Sequence, residues 1–118
     1  MTIQISKWRI ARNLNVDFVD TTVKSGYNLF SPTWDMVLSH KAKTMSDEEY
    51  TKLYYERMRE NWNSRRDEWL RFMQQEQPIA LACYCSPEKF CHRHLLVKIL
   101  EKLCQKQGID FKYYGELT

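Results

Sequence analysis

The chain has only three glycines and three prolines in 118 residues. Gly26, Gly108 and Gly115 are not arranged as Gly-x4-Gly-Lys-Ser/Thr, so the loop of that pattern that cradles phosphates is absent. No repeat or low-complexity segment interrupts the sequence. The longest apolar run, Ile79 to Cys85, falls far short of the ~20 residues that a membrane-spanning helix requires. Met1-Thr2-Ile3-Gln4-Ile5-Ser6-Lys7 has no apolar core of signal-peptide length. Strong charge of one sign is missing too: net charge is +3 and the pI about 8.7. Dedicated nucleic-acid-binding domains usually exceed a pI of about 9. These absences imply a cytoplasmic protein without a membrane partner. Its four cysteines are then reduced thiols rather than a disulfide framework.

What is present suits one domain over residues 1–118. A hydrophobic share of 43% is that of a globular chain. Ile3 and Ile5 alternate with polar neighbours, as in a short strand. Lys7 to Asn13 reads as a short helix with Trp8, Ile10 and Ala11 on its buried side. Val16 to Val23 reads as a second strand, ended by the turn signal Lys24-Ser25-Gly26.

A helical excursion over about 31–77 follows. Ser31-Pro32 opens it, and Trp34, Val37 and Leu38 fit one apolar side. Ser46 and Glu49 form a capping box. The helix they start carries Tyr50, Leu53, Tyr54, Met58 and Trp62 at spacings of three and four, which core packing explains. Ser64-Arg65-Arg66-Asp67 is a candidate cap for a helix bearing Trp69, Leu70, Phe72 and Met73. Pro78 closes the excursion.

Ile79 to Cys85 is apolar on both faces, the pattern of an inner strand in a parallel sheet covered by helices on both sides. Cys91 to Gln107 is a strong helix, with Leu95, Leu96, Ile99, Leu100, Leu103 and Cys104 in one stripe and Gly108 at its end. Phe111 to Tyr114 gives a last strand. The expected fold is a single three-layer α/β domain, Rossmann-like or flavodoxin-like, with a small, mainly parallel sheet flanked by helices. Ligands of such sheets bind beyond the carboxyl ends of the strands. Ser6-Lys7, Asp20 to Gly26 and Cys85 to Arg93 all leave the sheet on that edge.

The chemistry concentrates in Cys83-Tyr84-Cys85-Ser86-Pro87-Glu88-Lys89-Phe90-Cys91-His92-Arg93-His94. A helix start offers unpaired N–H groups and a positive dipole end. A Cys there has more thiolate character, and an Arg there can fork onto phosphate or carboxylate. Cys91, His92 and Cys85 are therefore candidate catalytic residues, and Arg93 a candidate ligand-binding residue. The bland alternative is that Cys91 and His92 only pack and cap the helix. A phosphatase loop does not fit, because it needs Cys-x5-Arg and Arg93 stands two residues too far from Cys85.

A zinc-binding domain is another alternative, since Cys83, Cys85, Cys91, His92 and His94 lie within twelve positions. Two strand residues two apart are roughly 6.6 Å apart by strand rise, wide for two ligands of one zinc. Cys83, mid-strand, reads as core. No metal and no cofactor are expected. Redox pairing of Cys85 with Cys91 across the loop is a lesser alternative. Asp20, at the end of the second strand, is either a general base or a hydrogen-bonding anchor for nearby loops. Lys24 adds charge at the same edge, and Trp34 is a candidate to cover a flat ligand.

Leu81-Ala82-Cys83-Tyr84-Cys85 and Phe90-Cys91-His92-Arg93-His94-Leu95-Leu96 together resemble the signature of the bacterial and phage family called domain of unknown function 488. That signature is an apolar strand, a Cys, a short loop, then Cys-His-Arg and a helix. Asp20 and the series Trp34, Tyr50, Tyr54, Trp69 also look like that family's pattern. The resemblance implies a compact three-layer α/β fold and supplies no activity. The residues themselves lead to an anion-binding Cys/His/Arg site that binds or acts on a nucleotide or other phosphate-bearing ligand. Nucleic acid is a further possible partner. The competing reading is a non-catalytic interaction or inhibitor protein working through the Arg-rich face of the excursion, with Arg57, Arg59, Arg65, Arg66 and Arg71. Whether the chain is an enzyme, and in what oligomeric state, is open from sequence.

Overall fold

The computed structural model describes residues 1–14, 16–24, 27–83 and 90–117. Four strands and five helices follow one another in these segments: β1 (Thr2–Lys7), α1 (Trp8–Asn13), β2 (Phe18–Asp20), α2 (Trp34–Lys41), α3 (Asp47–Ser64), α4 (Arg66–Met73), β3 (Ile79–Cys83), α5 (His92–Gln107) and β4 (Lys112–Glu116). The strands form one sheet in the order β2-β3-β1-β4. Every neighbouring pair is parallel.

The apolar run after Pro78 takes the inner position expected of it. All five residues of β3 are buried, and the strand pairs with β1 on one side and β2 on the other. Its two faces differ in size. Ile79 and Leu81 join the larger core, with Ile3 and Ile5 of β1 and the buried side chains of α3, α4 and α5. Ala80 and Ala82 meet Ala11 of α1, with Val16, Phe18 and Leu117 around them. Small side chains let α1 approach the sheet closely, while the branched ones on the other face fill the space beneath the long helices. The result is a three-layer α/β architecture: a parallel sheet flanked by helices.

The helices follow their local signals. Ser46 Oγ accepts from the Glu49 backbone N–H at 3.1 Å and caps α3. Three acidic residues, Asp47, Glu48 and Glu49, fill its first turn, where the helix dipole favours negative charge. Tyr50, Tyr54 and Met58, four apart, are its buried face. α5 ends on Gly108 at φ 69°, the left-handed conformation that a residue without Cβ adopts at least cost.

Three local expectations need correction. β2 is shorter than Val16 to Val23. The Asp20 carboxylate accepts from the Thr22 N–H at 2.9 Å and folds the chain into a turn there. In α2 the buried residue is Met36, whereas Trp34 is 52% and Leu38 56% exposed. Thr33 caps that helix by accepting from the Met36 N–H, and this phase turns Met36 inward. α4 starts after Arg65, which makes no side-chain cap. Ser64 instead bonds back to the Glu60 carbonyl as the last residue of α3.

Candidate functional site

The carboxyl ends of β1, β2 and β3 lie side by side, with Lys7 opposite Cys83 and Asp20 opposite Ala82. The first turn of α5 sits against this edge. Cys91 is its N-cap residue, with extended backbone and no side-chain capping bond. The Cys91 carbonyl accepts the His94 N–H at 3.1 Å, closing a tight first turn. Phe90, just before it, packs against Tyr50 and His40, with ring centroids 5.5 and 5.3 Å away. The start of α5 is thus packed against rings of α2 and α3.

Cys91, His92 and Arg93 are all buried. His92 Nε2 lies 2.8 Å from the Thr21 carbonyl oxygen and 2.9 Å from Thr21 Oγ1. Thr21 Oγ1 in turn donates to the Ala82 carbonyl at 2.9 Å. A carbonyl only accepts, so Nε2 must carry a hydrogen. The neutral imidazole then presents a lone pair at Nδ1, and Nδ1 is 3.5 Å from Cys91 Sγ. This is the relation of a nucleophile to its base, with the base oriented by a third group.

On its other side Cys91 Sγ touches a second sulfur, Cys83 Sγ, at 3.1 Å. Arg93 reaches across the same place. One guanidinium nitrogen, Nη1, donates to Cys83 Sγ at 2.9 Å and to the Ser6 carbonyl at 3.1 Å. The other, Nη2, donates to the Glu116 carboxylate at 3.1 Å. Arg93 is completely buried, and an unmatched cation there would cost several kcal/mol. Glu116, on the outer strand β4, supplies the opposing charge. From Thr21 through His92, Cys91 and Cys83 to Arg93 and Glu116 runs one chain of polar contacts along the sheet edge.

Tyr54 borders this chain from α3. Its ring centroid is 5.7 Å from that of His92, and its hydroxyl donates to the Phe30 carbonyl at 2.7 Å. Burial, and next the nearby Tyr50 and Cys91, holds its phenol well above the usual tyrosine range. It therefore stays protonated and neutral beside the thiol. Cys104, in the stripe of α5, is a core thiol whose pKa is pushed up by burial.

The structure brings together Cys91, His92 and Arg93 of the residues singled out from sequence. Asp20 stands at the end of β2, holding the Thr22 N–H and, through its carbonyl, the Tyr27 N–H at 2.7 Å. It is the next residue, Thr21, that reaches the imidazole. Lys24 is exposed on the turn beyond β2, and Trp34 is exposed at the start of α2. Among the described residues, no hydrogen bond, ion pair or ring contact joins either of them to the Cys/His/Arg group. Cys85 lies outside the described residues. Among the described residues the sulfur beside Cys91 is that of Cys83, which sequence alone assigned to the core. Thr21 and Glu116 also escaped the sequence reading. Among the described residues no group of three or more His, Cys, Asp and Glu side chains is arranged to hold a metal ion. No described helix is long and apolar enough to cross a membrane.

No curated protein and no solved structure matches the chain. A family model named DUF488-N3a, described as the active DUF488-N3 subclade, matches residues 4–103. That stretch holds most of β1, the excursion, β3 and most of α5 with the Cys-His-Arg at its start, so the chain belongs to the DUF488 family.

Proposed function

We propose that this protein is a thiol-dependent enzyme of the sheet-edge type, acting on a nucleotide or other phosphate-bearing ligand. The observation that carries the reading is the imidazole of His92, anchored at Nε2 by Thr21 with Nδ1 turned to Cys91 Sγ at 3.5 Å. His92 takes the Cys91 proton, and the thiolate attacks an electrophilic centre of the ligand. The imidazolium then returns its proton to the leaving group.

The anionic part of the ligand is favoured at the positive dipole end of α5, a helix of 16 residues. The description of the matched family as an active subclade favours chemistry over a passive scaffold.

Per-cysteine alkylation by iodoacetamide, followed by peptide mass spectrometry, tests the reading. Cys91 and Cys104 are both buried, so a rate difference reports chemistry rather than exposure. Cys91 is expected to react about 10-fold faster or more. Phosphate or a nucleotide should slow it, and His92→Gln should reduce its rate by a similar factor or more. Equal rates at Cys91 and Cys104, with no protection by any phosphate-bearing compound, overturn the proposal.

A further inference from the structure

Cys83 and Cys91 come from different elements, eight residues apart, and their sulfurs are 3.1 Å from each other. A disulfide needs about 2.05 Å between sulfurs, so the two must approach by only about 1 Å. Each sulfur also has a group suited to the reaction. His92 Nδ1 faces Cys91 and can take its proton. The Arg93 guanidinium faces Cys83 at 2.9 Å and opposes the charge of a thiolate there. Cys104 is buried in the stripe of α5, and among the described residues no side chain hydrogen-bonds to its sulfur.

We propose that Cys83 and Cys91 are a reversible redox pair, oxidised by hydrogen peroxide to an intrachain disulfide. In the first step the Cys91 thiolate attacks one peroxide oxygen. An S–O bond forms and the O–O bond breaks. The departing hydroxide collects the proton held on His92 and leaves as water. Sulfur is oxidised to a sulfenic acid and peroxide is reduced.

In the second step Cys83 attacks the Cys91 sulfur. The S–S bond forms, the S–O bond breaks, and hydroxide leaves with the Cys83 proton as a second water. Two thiols and one peroxide thus give one disulfide and two waters. A dithiol such as dithiothreitol reverses the process by exchange, its own sulfurs becoming the disulfide. The pairing requires only the sulfur geometry, so it stands whether or not Cys91 attacks a phosphate-bearing ligand.

The test is peroxide titration of the full chain, blocking of remaining thiols, denaturation and non-reducing peptide mapping. Chymotrypsin cleaves after Tyr84 and Phe90, which separates Cys83 from Cys85 and frees Cys91 at a peptide end. The expected result is a cross-linked Cys83–Cys91 peptide pair that dithiothreitol removes, with Cys104 blocked as a free thiol throughout. Cys85→Ser should leave the pairing intact. A Cys85–Cys91 cross-link in its place overturns the proposal. So does irreversible oxidation of Cys91 with Cys83 still free. Mapping the unsubstituted chain decides the matter even if Cys83→Ser fails to fold.

Discussion

The Arg93 guanidinium and the Glu116 carboxylate meet at 3.1 Å, with Arg93 wholly buried and the Glu116 side chain 18% exposed. The pair joins the first turn of α5 to the outermost strand β4. Its chief effect is to make a buried cation tolerable beside two thiols. Removing one partner of a buried pair leaves the other charge uncompensated. Glu116→Gln is therefore expected to destabilise the fold by roughly 3–5 kcal/mol, toward the lower end because the edge is partly wet. Urea unfolding measures this, and a change below about 0.5 kcal/mol would mean that Arg93 is matched by other groups.

Acid should act at a different place. The Glu68 carboxyl is pulled down from 4.5 to about 2, by its hydrogen bonds with Arg65 and then with Tyr27. The Tyr27 hydroxyl donates to it at 2.5 Å, and Arg65 grips both of its oxygens. A carboxyl depressed on folding contributes stability that is fully present above its unfolded pKa. That contribution is lost as pH falls from about 4.5 through about 2. Glu68→Gln should lower stability near neutral pH and flatten this part of the stability curve, so that variant and parent converge toward pH 2. Thermal melts from pH 5 to pH 2 give the answer; parallel curves for variant and parent would refute the assignment.

The two faces of β3 make a third expectation. Ala82 is fully buried against Ala11 of α1, which is fully buried as well. A larger side chain there has no room unless α1 shifts away. Ala82→Leu should cost about 1–3 kcal/mol or more through overpacking. Cys104→Ala, in the opposite core, removes a small side chain and should cost less. Denaturation midpoints of the two variants set the order.

The inner strand was legible in the sequence because burial on both faces leaves no polar position in the run Ile79 to Cys83. Ser46 with Glu49, and Gly108, were legible because caps act over three or four residues. Trp34 and Leu38 misled for a physical reason: an apolar stripe predicts burial only if another element covers it. Met36, one of the more adaptable side chains, is the one α2 buries.

The site was half legible. Cys91, His92 and Arg93 announce themselves by standing at a helix start after an apolar strand. Cys83 does not, because strand alternation puts it on the face of Ile79 and Leu81, where a small apolar residue is ordinary. Only the arrival of Arg93 changes what that sulfur is. Thr21 acts in part through its backbone carbonyl, which no side-chain motif records. Glu116 is 23 residues from Arg93 in sequence, with no periodicity linking them.

Glu116 also bears on how the protein is made. Arg93 fastens β1 through Ser6, β3 through Cys83 and β4 through Glu116. On the ribosome the guanidinium emerges before the carboxylate that balances it. Until β4 is out, the half-built domain carries that cation without the Glu116 carboxylate beside it. Docking of the outermost strand is thereby coupled, through one guanidinium, to the surroundings of the thiol pair.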